Sequence, residues 1–314
     1  MSTTTKQPQE AGSNSAPKRK LRTKRRHTVA GWLFMMPFTL VFLTFLVAPL
    51  FYAAYLSTFR SALVGDTKFV LFDNYVKALT DPQFLDGVSF VLRFAVILIP
   101  LQMGVSLIVA LLLDQLTTKF AKAARLMIFL PYAIPLVIGA IMWGFLYSKN
   151  FGPMGEIFGL IGAIPPDLLS RELIFFGLLN LVTWQWAGYY MIIIFAALQG
   201  IDSTLYEAAR IDGANNLQIA LKIKIPLVTP ALVLILIFAL IGTLQFFNEP
   251  QILKPLAAGA IDASFTPNMY AYQQAFLLGD FNYGSTISFV LGAVVFVFVY
   301  IFIFATRRRG GFML

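Results

Sequence analysis

A polar stretch between two apolar runs reads DSTLYEAARIDGANNLQIALKIKIP, from Asp202 to Pro226. Thr204 followed by Glu207 has the spacing of a capping box, which predicts a helix that begins near Ser203. We expect Gly213 to end this helix, because glycine adopts the left-handed conformation at little steric cost.

The second half of the same stretch predicts another short helix. Asn215 or Asn216 can cap it, and it should run to about Lys224. Pro226 and Pro230 then open the next apolar run. Two short helices that meet at an angle between two apolar runs predict a compact knob for docking to a partner.

The composition is that of a polytopic membrane protein. Of 314 residues, 58% are hydrophobic and 12% are charged, and the mean hydropathy is +0.76. Charged residues make up about 25% of a typical soluble domain. The chain has no cysteine, which excludes disulfides, thiolate chemistry and cysteine-based metal sites.

Six apolar runs are each long enough to cross a bilayer, for which about twenty residues suffice. The sequence therefore predicts an all-α protein with six transmembrane helices. The runs are approximately 30–56, 88–113, 126–147, 173–198, 228–252 and 284–306.

The distribution of charge predicts the orientation of these helices. Residues 1–28 are polar and end in a basic cluster, so we expect a disordered cytoplasmic tail before the membrane domain 29–314. With the tail inside, the inner segments hold 17 of the 24 Lys and Arg residues. The positive-inside rule then places both termini and the loop 199–227 in the cytoplasm. The net charge of +9 thus reflects membrane topology rather than nucleic-acid binding.

Irregularities are expected inside two of the runs. Pro131 and Pro135 lie in the third run and Pro250 lies in the fifth, where proline kinks or breaks a helix. The segment 254–283 is long enough for a short helix of its own, from about Met269 to Leu277.

The middle of the fourth run is rich in aromatic and amide side chains. It contains Trp184, Gln185, Trp186, Tyr189 and Tyr190. Aromatic rings stack on the apolar faces of pyranoses and an amide bonds their hydroxyls, so these residues suit a sugar. Ordinary packing between helices is an equally good interpretation of the same residues.

The stretch that opened this section resembles the EAA loop of permease subunits of binding-protein-dependent ABC importers. Glu207-Ala208-Ala209, Asp212-Gly213-Ala214, Ile223 and Pro226 stand at the spacing of that motif, with Ile225 in place of its leucine. Two further stretches are similar to the carbohydrate-type branch. They are Phe72-Asp73-Asn74-Tyr75 with Asp81-Pro82-Gln83-Phe84, and Phe281-Asn282-Tyr283-Gly284.

The resemblance implies a type I importer permease that pairs with a second, similar permease in the bacterial cytoplasmic membrane. It also implies two ATPase subunits, a substrate-binding protein outside the membrane and a sugar or oligosaccharide as cargo. Residues 202–226 would be the coupling loop, with contacts to the ATPase through Glu207, Ala208, Ala209, Asp212, Gly213, Ile223 and Pro226. The implied sugar-binding positions are Trp184, Gln185, Tyr189, Gln245, Phe246 and Asn248.

Alternatives to two of these interpretations stay open. Glu207 could simply cap its own helix, a role that is compatible with docking. Because a lone carboxylate in hydrocarbon is unfavourable, Glu249 is expected to face a wet cavity or the outer surface. It is a seventh candidate sugar-binding position that could contact the substrate or the binding protein, and a structural role at the helix break is an equally good interpretation.

The chain shows no means of hydrolysing ATP itself. It lacks the P-loop, GxGxxG and HExxH patterns, and its only histidine is His27. It is therefore expected to be a translocation subunit without a bound cofactor, while partner ATPases use ATP and Mg²⁺.

The alternative functions are a secondary transporter or channel that works without ATPases, and a membrane scaffold without cargo. A secondary transporter predicts ionisable pairs inside the membrane, and the spans nearly lack them.

Overall fold

A computed structural model describes Ser2 and residues 23–61, 67–115, 119–149 and 152–308. The chain divides into two compact units, Met1–Tyr52 and Ala53–Leu314. Most of the predicted tail 1–28 lies outside the described residues. The first helix begins at Thr23, so the predicted boundary at residue 28 falls within a helix.

The N-terminal region is helical from Thr23 onward. Helix α1 spans Thr23–Phe42, a π-helical turn follows at Leu43–Val47, and α2 spans Ala48–Ser57. The boundary between the two units falls within α2. Residues 31–52 are almost entirely exposed and apolar, as expected for a helix whose surface faces lipid.

The second unit is almost entirely helical. A short antiparallel pair joins β1 (Phe59–Arg60) to β2 (Lys68–Phe69), which the all-α prediction did not include. The helices are α3 (Asp73–Thr80), α4 (Pro82–Asp114), α5 (Lys119–Ala133), α6 (Leu136–Tyr147), α7 (Pro153–Leu160), α8 (Ile174–Gln199), α9 (Ser203–Ile211), α10 (Asn216–Ile219), α11 (Ile225–Leu244), α12 (Asn248–Leu253), α13 (Pro267–Tyr272) and α14 (Phe281–Arg308).

Two π-helical turns extend these helices. One covers Ala220–Lys224 between α10 and α11, and the other covers Gln273–Leu277 after α13. The helix expected at about 269–277 is thus present as α13 and its π turn.

The number of spans agrees with the sequence prediction. Within the described ranges, five helices are long and apolar enough to cross a membrane, and a bent pair can supply a sixth. The bent pair is α5 with α6, whose axes differ by 96° at the break. Pro135 lies in this break as the N-cap of α6, where it has no N–H to donate and its carbonyl accepts from the N–H of Gly139 at 3.1 Å.

The fifth span differs from its prediction at both ends. Its helix runs without interruption from Asn216 to Leu244, through the π turn, so the second short helix is not separate. Pro226, which has no N–H to donate, directly follows the π turn Ala220–Lys224 inside this continuous helix, so the change of hydrogen-bond register comes where the proline would interrupt an α-helix. The predicted end at residue 252 is wrong: the chain turns at 245–247, and α12 begins at Asn248.

The long helices α4 and α8 form the centre of the second unit. Gln102 Nε2 donates to the carbonyl of Val182 at 3.1 Å, and Ser106 Oγ donates to that of Ala187 at 2.9 Å. These bonds satisfy polar side chains inside the bundle. Gly188, on α8, lies against the backbone of α5, where a Cβ atom would collide with the carbonyl oxygen of Ile128.

The ends of α4 give a reference for the rest of the unit. Asp114 at its C-terminus contacts Gln199 and Lys224. These two residues flank α9 in the chain, so we name this end of α4 the α9 end. Asp81, before its N-terminus, contacts Tyr270 of α13, and we name this the α13 end. The helix has 33 residues, so the two ends lie about 50 Å apart.

Candidate functional site

A cavity of about 510 Å³ opens among α4, α5, α6, α8 and α11, and the turn before α12 closes one side. Its volume lies within the range of about 300–1,000 Å³ found for small-molecule sites. The lining residues are Leu98, Gln102, Tyr132, Leu136, Val182, Trp186, Tyr189, Tyr190, Phe238, Ala239, Ile241, Gly242, Thr243, Gln245, Phe246, Phe247, Asn248 and Glu249.

One wall of the cavity is aromatic. The rings of Tyr132 and Tyr189 stack with centroids 4.4 Å apart and planes inclined by 19°. Trp186 meets Tyr132 edge-on at 5.4 Å and stacks on Tyr190 at 6.1 Å. Four rings from α5 and α8 therefore hold one another in fixed orientations, as aromatic pairs at these distances do.

Another part of the lining holds polar side chains. Gln245 lies in the turn after α11, and Asn248 and Glu249 begin α12. Glu249 is only 6% exposed, and no described lysine or arginine forms an ion pair with it. Because helix α11 ends at Leu244, the residues that follow it turn toward the cavity and place these amide and carboxyl groups in its lining.

Five of the seven predicted sugar-binding positions line this cavity. They are Tyr189, Gln245, Phe246, Asn248 and Glu249. Phe246 is also anchored from behind, because its ring stacks on Phe94 with centroids 4.9 Å apart.

The other two positions, Trp184 and Gln185, lie outside the lining. Trp184 meets Trp143 of α6 edge-on at 5.6 Å. Gln185 is buried, and its Nε2 lies 3.5 Å from the carbonyl of Ile134 in the break between α5 and α6. Both side chains therefore support the bent pair rather than the cavity.

Helical spacing explains which residues of α8 face the cavity. Val182, Trp186, Tyr189 and Tyr190 lie on one face at intervals of three and four residues. By the same spacing Trp184 lies on the other side of the helix, whereas Gln185 lies at the edge of this face with its amide 3.5 Å from the carbonyl of Ile134. The sequence analysis grouped residues by chemical type and missed this periodicity, which would have favoured Trp186 over Trp184. No local pattern indicated Gln102 or Tyr132, because they come from other helices.

The segment 202–226 folds as two helices around a turn. The cap of α9 is Asp202, whose carboxylate accepts the backbone N–H of Thr204 at 2.9 Å. The hydrogen bond from this N–H lowers the pKa of Asp202, with a smaller contribution from the Thr204 side chain. The helix begins at Ser203 as predicted, but Thr204 lies inside it, so the expected capping box is not the one that forms.

The turn between the two helices is built as the sequence indicates. Gly213 has φ of +82°, and the N–H of Ala214 donates to Ala209 O at 2.9 Å. A capping box then opens α10, where Asn215 and Gln218 exchange side-chain-to-backbone bonds of 2.8 Å. Asn215, rather than Asn216, is thus the cap.

The exposed side of α9 presents an acidic group beside apolar side chains. Glu207, Ala208 and Asp212 are exposed. Within the described ranges Glu207 forms no ion pair, and it lies beyond the first turn that Asp202 caps. Ile211 is 86% exposed. Ile223 is half-buried and Pro226 is exposed, so the predicted contact residues do not form one uniform surface.

The base of α9 meets a buried ion pair. Lys224 Nζ lies 2.5 Å from Asp114 Oδ2, and the side chains are 10% and 8% exposed. Gln199 Nε2 donates to the other carboxylate oxygen at 2.8 Å. Lys224 Nζ also lies 4.9 Å from the ring centroid of Tyr206, on α9.

A second cluster occupies the α13 end. The hydroxyls of Tyr270 and Tyr283 both donate to Asp81 Oδ2 at 2.7 Å. Burial alone would raise the pKa of Asp81, but the bonds from these hydroxyls, Tyr283 foremost, outweigh it and lower the pKa below 3.8. Two sequence motifs far apart in the chain, those containing Asp81 and Tyr283, therefore meet in space.

Neither cluster nor the cavity resembles a metal centre. Among the described residues, no group of three or more His, Asp or Glu side chains could hold a metal ion.

Comparison with known proteins identifies relatives along most of the chain. It is 30% identical over 298 residues to the lactose transport system permease protein LacF of Rhizobium radiobacter, covering 91% of this chain and 97% of the relative. It is 27% identical over 279 residues to the trehalose/maltose transport system permease protein MalF of Thermococcus litoralis, covering 88% and 93%. It is 30% identical over 279 residues to the arabinooligosaccharides transport system permease protein AraP of Bacillus subtilis, covering 85% of each.

The fold also matches a solved structure. A chain of a bacterial alginate ABC transporter, in complex with an alginate pentasaccharide-bound periplasmic protein, superposes with a TM-score of 0.82. The two chains are 21% identical, and the match covers 92% of this chain and 97% of the other.

A family model matches residues 102–308, which contain α8, the cavity-forming turn and the whole of 202–226. This span is more than half of the chain, and the relatives extend the similarity toward the N-terminus. The chain belongs to the family of binding-protein-dependent transport system inner membrane components, as a permease subunit of an ABC importer.

Proposed function

We propose that this chain is one of two permease subunits of an importer for a sugar or oligosaccharide in a bacterial cytoplasmic membrane. A binding protein outside the membrane delivers the sugar, and two separate ATPase subunits bind at the α9 end. ATP and Mg²⁺ act on those subunits, and this chain contributes the passage. Names of the relatives support a saccharide cargo, since three of them are named for lactose, for trehalose and maltose, and for arabino-oligosaccharides.

The observation that carries the sugar assignment is the pairing of two unlike walls in the cavity. Tyr132, Tyr189 and Trp186 offer flat apolar faces, whereas Gln245, Asn248 and Glu249 offer hydrogen-bonding groups. A pyranose has the same division, with C–H faces for stacking and hydroxyls around its edge. A purely apolar cargo would leave the polar wall without partners.

The proposed sugar-binding set is therefore Tyr132, Trp186, Tyr189, Gln245, Asn248 and Glu249, with Phe246 as a fixed support. Trp184 and Gln185 are left out, because they contact the α5–α6 break.

The proposed contact with an ATPase subunit is the exposed side of α9 and the turn that follows. Glu207 is available to pair with a basic group on the partner, and Ile211 supplies apolar area. Ala208 and Ala209 allow close approach, because their side chains are small. Asp212 and Gly213 form the turn, and Ile223 and Pro226 lie at the far side of the segment.

The mechanism that follows has two states. Closure of the ATPase pair moves α9, and the membrane helices change between cavities open to opposite sides. Such coupling requires the segment 202–226 to make different contacts in the two states, because only differential contacts shift an equilibrium. The family membership favours this mechanism over a secondary transporter or channel.

Substitution of neighbouring tryptophans tests the cavity. In the complete transporter, Trp186→Ala should lower uptake of labelled lactose, maltose, trehalose or arabino-oligosaccharide by about tenfold or more, as removal of a stacking ring does. Trp184→Ala has the same chemistry outside the cavity, and its effect should follow only the amount of assembled complex. Equal losses of uptake per assembled complex in the two variants would contradict the assignment.

Single-cysteine labelling tests the orientation. Because the chain has no cysteine, Ser203→Cys on the exposed side of α9 provides one reactive thiol. A membrane-impermeant maleimide should label it in inverted membrane vesicles and not in intact cells. Labelling only in intact cells would place α9 outside and refute the proposed ATPase contact.

A further inference from the structure

The ion pair between Lys224 and Asp114 joins the segment 202–226 to the ends of two long helices. Asp114 is the last residue of α4, and Lys224 is the last residue of the π turn before α11. One carboxylate oxygen accepts from Lys224, and the other accepts from Gln199, the last residue of α8. The carboxylate therefore fastens three elements that are distant in sequence.

Lys224 has a second contact, with the helix that carries Glu207. Its Nζ lies 4.9 Å from the centroid of the Tyr206 ring, within the distance of about 6 Å at which a cation is attracted to a ring. The Tyr206 hydroxyl is buried without a hydrogen-bond partner among the described residues. Lys224 thus lies against both α9, through the ring of Tyr206, and α4, through the carboxylate of Asp114.

Burial makes the ion pair between Lys224 and Asp114 sensitive to any separation of its two charges. Both charged side chains are at least nine-tenths buried, and a buried charge without its partner is strongly unfavourable. Any movement that separates Lys224 from Asp114 therefore costs a large interaction energy, and α9 reaches this pair through the ring of Tyr206. The π turn directs Lys224 to this place, and such turns inside α-helices are frequent at functional sites.

We propose that Lys224 is a positioning residue for transport: its ion pair with Asp114 transmits movement of α9 to the ends of α4 and α8. This inference rests on the proposed docking of the segment 202–226 to an ATPase subunit. Lys224 does not contact the ATPase in this scheme; it links the docking helix to the helices that line the cavity.

The test follows the cavity directly and needs no knowledge of the cargo. Leu136, which lines the cavity, is replaced by cysteine, and the complete transporter is placed in vesicles with the ATPases outward. A membrane-impermeant quaternary-ammonium methanethiosulfonate is then added with and without ATP and vanadate. Labelling of this chain, read by mass, should change by about tenfold with nucleotide, as expected for a population shift between two states.

In this background Lys224→Met should uncouple the two activities. ATP hydrolysis should persist within about twofold, while the nucleotide-dependent change in labelling falls by about tenfold, the size of a typical coupling effect. Lys149→Met is the matched control, because it removes the same residue type from an exposed ion pair with Asp167. This control should respond as the unsubstituted chain does.

The double variant Asp114→Asn/Lys224→Met separates transmission from folding. It removes both buried charges, so it should recover assembly and thermal stability yet stay uncoupled. Recovery of the nucleotide response in the double variant would overturn the inference, because the pair would then serve folding alone. A normal response of Lys224→Met, or parallel loss of its ATP hydrolysis and labelling change, would overturn it as well.

Glu207→Ala distinguishes this inference from the function on which it depends. If the unsubstituted complex shows no nucleotide response, or Glu207→Ala leaves the response intact, both proposals fail. If Glu207→Ala abolishes the response and Lys224→Met does not, docking stands and only the role of Lys224 is overturned.

Discussion

The two ends of α4 hold their carboxylates in different ways. At the α9 end, Asp114 is paired with a lysine, and both side chains are buried. At the α13 end, Asp81 accepts two tyrosine hydroxyls, and Lys77 lies over the ring of Tyr283, 3.9 Å from its centroid, without forming an ion pair with Asp81 among the described residues. One end relies on a buried charge pair and the other on neutral donors.

The two ends differ in how far the partner of the carboxylate can move before the interaction is lost. A buried charge depends on its partner staying in place, whereas a partly exposed carboxylate can exchange a hydroxyl for water. The α13 end is also braced by Asn74, whose Nδ2 donates to the carbonyls of Ser57 and Phe59. The carboxylate at the α13 end therefore tolerates a local change of partner, whereas the contact at the α9 end depends on where Lys224 is.

The largest effect on stability should come from Lys224→Met. Removing one partner of a buried pair leaves Asp114 charged and alone, which costs about 3–5 kcal/mol. The thermal midpoint of the purified complex should fall clearly. A double-mutant cycle with Asp114→Asn should show a coupling energy well above zero, and additive effects would mean that the two ends of α4 do not differ in this respect.

A smaller effect is expected from Asp81→Asn. Weakened bonds from Tyr270 and Tyr283 should lower the free energy of unfolding by about 1.5 kcal/mol, at the low end for bonds to a charged group because Asp81 is partly exposed. The folded pKa of Asp81 lies below its ordinary 3.8. Its contribution is therefore present above that value and lost as the pH falls through the folded pKa.

The pH dependence sharpens this second prediction. The stability difference between the unsubstituted chain and Asp81→Asn should be constant near neutrality and should shrink below a pH of about 4. Thermal scans of both complexes across that range measure it. A difference that grows on acidification would show that the pKa of Asp81 is raised instead.

The smallest effect should come from Lys149→Met. Lys149 and Asp167 are 3.0 Å apart, but their side chains are 43% and 38% exposed. Exposed pairs contribute about 0–1 kcal/mol because water and salt screen them. The thermal midpoint should stay close to that of the unsubstituted complex. A fall in the midpoint as large as that of Lys224→Met would show that burial does not explain why the two ion pairs differ.

Features with a local signal could be predicted from the sequence. The six apolar runs correspond to five helices and one bent pair, because burial in lipid requires length and hydropathy that any window of the sequence reveals. The turn at Gly213 was likewise predictable, since its φ of +82° is a conformation that glycine adopts at little cost.

Features that depend on the packing of several helices could not be predicted from the sequence. The break after Leu244 was expected near Pro250, yet the chain turns before the proline, and α12 packs with α6. Trp184 and Trp186 have the same chemistry; helical spacing puts them on different faces of α8, but the position of α5 beside α8 decides which of those faces lines the cavity. Gly188 allows that close approach, because it has no side chain to meet Ile128.

The sequence by itself determined the class of the protein, its spans and the helix–turn–helix of 202–226. Those features follow from hydropathy, helix capping and glycine, which act over a few residues at a time. Only the tertiary structure decided that Asp114 pairs with Lys224 and that Asp81 meets Tyr270 and Tyr283. The reason is that such pairs join residues more than one hundred positions apart, and only packing of the helices brings their charges together.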